Sequence, residues 1–220
     1  DFYAVLAEIR ERLGVKAVAL EIPWGIEDTF VGVVDLVTMT SLKFDSANPA
    51  KPPVAGEIPD ELKAKAKQYR HDLIEAVAEY DDKLMEQYIH EKVPTAEELR
   101  AGIRGATIQT SQMNESESDK RQPIFVPVLC GASFRNIGVQ PLLDAVCDYL
   151  PSPKAPMALK GTDTAADNEV VFTPGDSEPF RALAVKIQSE PQVGKLIYFR
   201  VFSGSLQEGA SVYNTKKRTT

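Results

Sequence analysis

The chain has 220 residues, 43% of them hydrophobic, which is enough to bury one or two packed cores. Its net charge of −7 argues against a simple basic nucleic-acid-binding module. No apolar run approaches the roughly 18 residues that a membrane span requires, and no signal-peptide pattern is visible.

The charge is uneven. From residue 170 onward there are seven basic and four acidic side chains, a balance of +3, which leaves −10 for residues 1–169. Both ends interrupt patterned sequence, so the chain is expected to be a fragment of a longer protein. Cys130 and Cys147 lie in apolar elements without metal-ligand spacing and read as free buried thiols of a cytoplasmic protein.

Residues 2–13 set Phe2, Val5, Leu6, Ile9 and Leu13 at helical spacing, with Gly14 as the C-cap. An apolar strand over 17–22 is broken by Pro23-Trp24-Gly25. Phe30 to Phe44, rich in Val, Leu and Thr, predicts a strand pair. Residues 45–57, with Pro49, Pro52, Pro53 and Gly56, predict loop. The longest helix follows, opened by Pro59, Asp60 and Glu61. Its stripe is Leu62, Ala66, Tyr69, Leu73, Val77, Tyr80, Leu84 and Tyr88.

Thr95 and Glu98 form a capping box for a second helix, with Leu99 and Ile103 inward and Gly105 at its end. Residues 110–122 are polar and predict a mobile surface loop. Ile124 to Leu129 predicts a buried strand covered on both faces. Residues 139–150 predict a helix with Val139, Leu142, Leu143, Val146 and Leu150 inward, stopped by Pro151-Ser152-Pro153. Residues 151–178 read as a linker. From Phe180 the period becomes two. Ala182, Ala184 and Ile187 mark one strand, Leu196 to Phe202 the next, and Val212-Tyr213 a third.

The densest chemical signal is the small-residue loop Gly131-Ala132-Ser133, set between the 124–129 strand and the 139–150 helix. Small side chains at the carboxyl end of a strand let backbone N–H groups reach a flat ligand, and nucleotides bind there in open α/β sheets. Alone, such a loop could equally be an ordinary strand–helix turn. Asp81-Asp82 and Glu97-Glu98 point about 100° apart on helices and read as capping and solvated groups rather than acid–base pairs. His71 and His90 read as solvated surface residues. Lys216-Lys217-Arg218 could be a charged turn or a contact for RNA phosphates.

The flanks of the loop make it specific. Val128-Leu-Cys-Gly131, Asn136, Gly138-Val-Gln-Pro-Leu-Leu-Asp-Ala-Val146 and Asp148-Tyr-Leu-Pro-Ser-Pro153 resemble the last guanine-binding element of translational GTPases, elongation factor G most closely. Phe180-Arg-Ala-Leu-Ala-Val-Lys-Ile187, Val193-Gly-Lys-Leu196 and Arg200-Val-Phe-Ser-Gly-Ser-Leu206 resemble the start of that family's second domain. Leu73 to Asp82, Glu27-Asp28, Gly32 and Asp35-Leu36-Val37 resemble an insert in its GTPase domain.

The resemblance implies an α/β fold: a partial P-loop-GTPase-type sheet with an α+β insert, then the first strands of an antiparallel β-barrel. Residues 1–17 and 124–153 would belong to the GTPase domain, 18–123 to the insert, 154–178 to a linker, and 179–220 to a truncated barrel. It implies a parent that hydrolyses GTP, holding GTP or GDP with Mg²⁺, and couples this to tRNA and mRNA movement on the ribosome. The implied partners are the ribosomal stalk protein through the insert and small-subunit RNA through the barrel, with no DNA and no membrane.

Gly131, Ala132 and Ser133 would line the guanine. The family usually reads Gly-Ser-Ala here. A backbone donor survives the exchange of Ala132 and Ser133, whereas a side-chain role for the family's Ser does not. The sequence has no phosphate-binding Gly-x-x-x-x-Gly-Lys-[Ser/Thr] loop, no Asp-x-x-Gly element and no catalytic His after one. The fragment alone is therefore expected to be inactive, with no catalytic or metal-binding residue and no bound nucleotide. A ribosome-protection or release-factor GTPase, and a non-enzymatic adaptor of helical module and β-barrel, remain the alternatives.

Overall fold

The computed structural model describes residues 1–48, 51–113, 123–152, 159–162 and 168–220. The chain divides into two compact units, Asp1–Leu150 and Pro151–Thr220.

The first unit opens with α1 (Phe2–Leu13), N-capped by the Asp1 carboxylate and closed by Gly14 in the left-handed region. Of the expected inward face only Leu6 is buried, while Val5 and Leu13 are exposed. The apolar run after it is two strands rather than one. β1 (Lys16–Ala19) enters a parallel pair, and β2 (Glu21–Trp24) enters a separate antiparallel sheet. Leu20 joins both: its N–H donates to Val128, and its carbonyl accepts from Leu36.

β3 (Gly32–Asp35), β4 (Thr40–Lys43) and β5 (Val54–Gly56) complete the order β2-β3-β4-β5. The expected 45–57 loop thus ends in an edge strand, and Pro49 lies outside the described residues. Asp35 shapes the β3–β4 turn, accepting from Val37 N–H at 2.7 Å and from the Thr38 hydroxyl at 2.6 Å.

The long helical stripe is interrupted. α2 (Asp60–Ala78) and α3 (Asp82–Ile89) are separate helices, because the Asp81 carboxylate accepts from the Lys83 and Leu84 N–H groups and starts a new helix. α4 (Ala96–Met113) begins at the Thr95–Glu98 capping box and runs straight through Gly105. Its buried stripe Leu99, Ile103, Ala106 and Thr110 continues past the glycine, and packing outweighs the ~1 kcal/mol that Gly costs in a helix. The first four residues of the expected 110–122 loop are therefore helical, and 114–122 lie outside the described residues. Arg70 of α2 ties the layers together by donating to the carbonyls of Leu36, Val37 and Pro94.

β6 (Phe125–Val128) pairs in parallel with β1, Lys16 opposite Phe125 and Ala19 opposite Val128. Phe125 is buried, but the following three residues are only half-buried. α5 (Val139–Tyr149) buries Ala145 and Tyr149. Leu142, Leu143, Val146 and Leu150, expected inward, are exposed. What orients α5 is α4: Arg104 donates to the Cys147 and Asp148 carbonyls, where a cation suits the negative helix end. Cys147 is exposed, against the expectation of a buried thiol, and Cys130 is half-buried.

One buried cluster, including Leu6, Ala17 to Leu20, Ile22, Val34, Leu36, Leu73, Val77, Leu99, Ile103, Phe125 and Tyr149, joins the helices to the strands. A second and smaller cluster lies on the other face of the antiparallel sheet. It holds Phe30, Val33, Phe44 and Ile137, with Leu42, Cys130 and Ala132 against it. Val33 and Val34 are adjacent and supply one cluster each, as strand alternation requires.

In the second unit β7 (Leu159–Thr162) pairs with β8 (Glu169–Phe172), inside the stretch expected to be linker. Its Pro, Gly and Asp content hid the short apolar run Val170-Val171-Phe172. β9 (Arg181–Glu190) and β10 (Gly194–Ser203) form a long antiparallel hairpin. The expected third strand at 212–213 does not form, and a single bridge, Asn214–Thr219, follows instead. The protein is a mixed α/β fold with a parallel pair and antiparallel strands, and among the described residues no barrel closes.

Candidate functional site

The loop 129–138 leaves the carboxyl end of β6, the same end at which β1 terminates. It is closed by two hydrogen bonds between Ala132 and Ile137, N–H to carbonyl at 2.9 and 3.2 Å. Within it Ser133–Arg135 makes one 3₁₀ turn, ended by Asn136 in the left-handed region. The loop's two stems touch. A Cβ on Gly131 would lie 2.8 Å from the Ile137 carbonyl oxygen, and one on Gly138 (φ +78°) 2.6 Å from the Cys130 oxygen. Only glycine at both places permits this approach.

The three residues singled out from the sequence now differ from one another. The Ala132 N–H is engaged by Ile137. Among the described residues no oxygen accepts from the Ser133 N–H, and Ser133 is exposed. Its amide opens the 3₁₀ turn on the loop that leaves the strand tips, after the small residues Gly131 and Ala132. Phe134, next in sequence, is fully exposed at 104%.

Two residues that sequence reasoning missed hold this loop. Glu21 is 3% exposed, and its Oε2 accepts from the Cys130 N–H at 3.4 Å. Burial pushes its carboxyl up to about 8, and nearby Asp35 adds to the effect. Burial likewise pushes the Cys130 thiol up, with the Glu21 charge in support, so this cysteine is a poor nucleophile. An acid at the end of the run Ala17-Val-Ala-Leu-Glu21-Ile22 was a readable signal. Arg135 is the second residue: its guanidinium donates to the carbonyls of Glu27 at 2.9 Å and Asp28 at 3.4 Å. Nothing in the sequence pairs residues so far apart.

The other candidates stay apart from this loop. His71, Asp72 and Glu75, exposed on α2, place ligand atoms within 4.8 Å of one another, the one such group among the described residues. Asp81 and Glu98 cap helices. Glu98 is held down to about 2 by its hydrogen bond from Lys83, with the Thr95 N–H assisting. Lys217 N–H donates to the Asn214 side chain within an exposed turn.

No family model matches the chain. A crystal structure of a protein from Thermus thermophilus matches with a TM-score of 0.63 and 26% identity, over 96% of this chain and 26% of that one. The match shows a shared fold. The chain spans about a quarter of the length of the solved chain it matches. No helix among the described residues is long and apolar enough to cross a membrane.

Proposed function

We propose that this chain is part of a translational GTPase of the elongation factor G type, and that its loop 131–133 forms one edge of the guanine pocket. The supporting observation is the exposed Ser133, whose amide has no acceptor among the described residues, on a loop at the tips of parallel strands whose sequence resembles the family's guanine-binding element. Guanine O6 accepts a hydrogen bond, and a main-chain N–H unobstructed by side chains supplies it. Gly131 and Ala132 give the clearance, and Ser133 gives the donor.

In this reading residues 1–17 and 124–153 belong to the GTPase domain and 18–123 to its insert. Residues 179–220 begin a β-barrel, and the stretch 154–178 before it carries the β7–β8 pair rather than a plain linker. GTP or GDP with Mg²⁺ would be held chiefly by residues outside this chain, since it contains no phosphate loop. The parent would hydrolyse GTP and move tRNA and mRNA on the ribosome, in the cytoplasm, with nucleotide state biasing domain arrangement. The insert would face the stalk protein and the barrel the small-subunit RNA.

The test uses the longer protein that this reading requires. Ser133→Pro deletes the donor, whereas Ser133→Ala keeps it. GDP affinity should fall about tenfold or more in the first and stay within about twofold in the second, one charge-free hydrogen bond being at stake. Equal GDP affinity in Ser133→Pro and the parent refutes the assignment. The 220-residue chain alone should show no saturable GDP binding.

A further inference from the structure

Beyond Leu129, which packs against the large cluster, several contacts tie the candidate loop to the antiparallel sheet. Ile137, Cys130 and Ala132 pack on Phe30, Val33, Leu42 and Phe44. Cys130 N–H meets Glu21 at the start of β2. Arg135 grips the turn that follows β2. That turn has a special backbone: Glu27 sits at φ +48°, where side-chain-bearing residues are uncommon. Gly25 sits at φ +95°, and a Cβ there would lie 2.0 Å from the Thr29 carbonyl oxygen. The Thr29 hydroxyl closes the turn by donating to the Ile26 carbonyl at 2.7 Å and accepting from the Ile26 N–H at 3.0 Å. This strained geometry turns the Glu27 and Asp28 carbonyls toward one guanidinium, whose fixed fork can serve both.

We infer that Arg135 is a positioning residue that locks the 131–136 loop to the 25–29 turn, so that displacement of the antiparallel sheet is transmitted to the base-recognising amide. The inference rests on the guanine reading of Ser133 for its functional meaning. Its structural content is a coupling between two turns about 107 residues apart in sequence. Any partner that moves the sheet would then change nucleotide affinity, and nucleotide would reciprocally change the partner's affinity.

Amide hydrogen exchange by NMR on the 220-residue chain tests this without nucleotide. The reporters are the bonded amides Ala132, Asn136 and Ile137. Arg135→Ala should speed their exchange by about fivefold or more, while amides of the buried helical residues Leu73 and Ile103 keep their wild-type rates. Arg135→Lys should not restore protection, because an ammonium cannot span both carbonyls in fixed geometry. Thr29→Val, which unties the distant turn, should speed the same loop amides in the wild-type background and add nothing in Arg135→Ala.

Unchanged loop exchange in Arg135→Ala overturns the inference, as does a Thr29→Val effect of equal size in both backgrounds. Parallel acceleration at Leu73 and Ile103 also overturns it, by reducing Arg135 to a general stabiliser. Failure here leaves the Ser133 assignment standing, and failure of the Ser133→Pro titration leaves this coupling standing.

Discussion

Glu21 shows how one residue at the site sets a property of the whole chain. Its carboxyl is raised from 4.5 to about 8 in the folded protein, chiefly by burial. The folded state therefore holds the proton more tightly than the unfolded chain does. In that window the native state binds more protons, so stability falls as pH rises. The contribution is fully present below pH ~4.5 and is lost progressively toward pH ~8, by about 1.4 kcal/mol per pH unit at most. Glu21→Gln keeps the shape and a carbonyl acceptor for the Cys130 N–H but cannot ionise. Urea-unfolding midpoints of the two proteins should be close at about pH 5 and separate steadily to about pH 8, with the variant the more stable. Parallel curves across that range would mean that Glu21 does not titrate there. The same protonation equilibrium sits directly beneath the loop that carries Ser133.

At the scale of elements, the break between α2 and α3 is decided by one side chain. Asp81 accepts from two backbone N–H groups at 2.9 and 3.1 Å. Asp81→Ala should cost about 1 kcal/mol, the usual value of an N-cap, and lower α3 helicity before the global transition. An unchanged unfolding midpoint with unchanged helicity would show that the break is set by packing of Leu84 and Tyr80 instead. This break also marks the limit of sequence reading. The stripe from Leu62 to Tyr88 keeps a helical period across it, so periodicity saw one helix where capping makes two. Gly105 misled in the opposite direction, because a glycine inside a well-buried stripe does not end a helix. The 125–149 strand, loop and helix were legible because their apolar runs and small-residue turn are contiguous. The Leu142, Leu143, Val146 and Leu150 face was legible as apolar, but not that it would be exposed. The clamps made by Glu21 and Arg135 depend on contacts more than 100 residues apart, which local pattern does not encode.

For the whole molecule, stability should reside almost entirely in Asp1–Leu150, where the large buried cluster lies. Among the described residues the second unit holds two antiparallel pairs. Leu183, Val185, Ile187, Ile197 and Tyr198 on its long hairpin are about half exposed or more. Two-stranded ladders are marginal in water, and their open edges invite pairing with other chains. Within this unit the Ser203 hydroxyl donates to the Pro179 carbonyl at 2.8 Å, and Arg181 stacks over Phe172. Such contacts are worth on the order of 1 kcal/mol each, too little to offset the ordering of so many residues. A chain ending at Leu150 should therefore melt within about 2 °C of the 220-residue protein, with nearly the same calorimetric enthalpy. Residues 151–220 alone should show no cooperative transition. A fall of more than about 5 °C on truncation would place a substantial share of the folding energy in the strands after Leu150, and the open apolar faces of β9 and β10 would then need a covering that the two-stranded pairing does not provide.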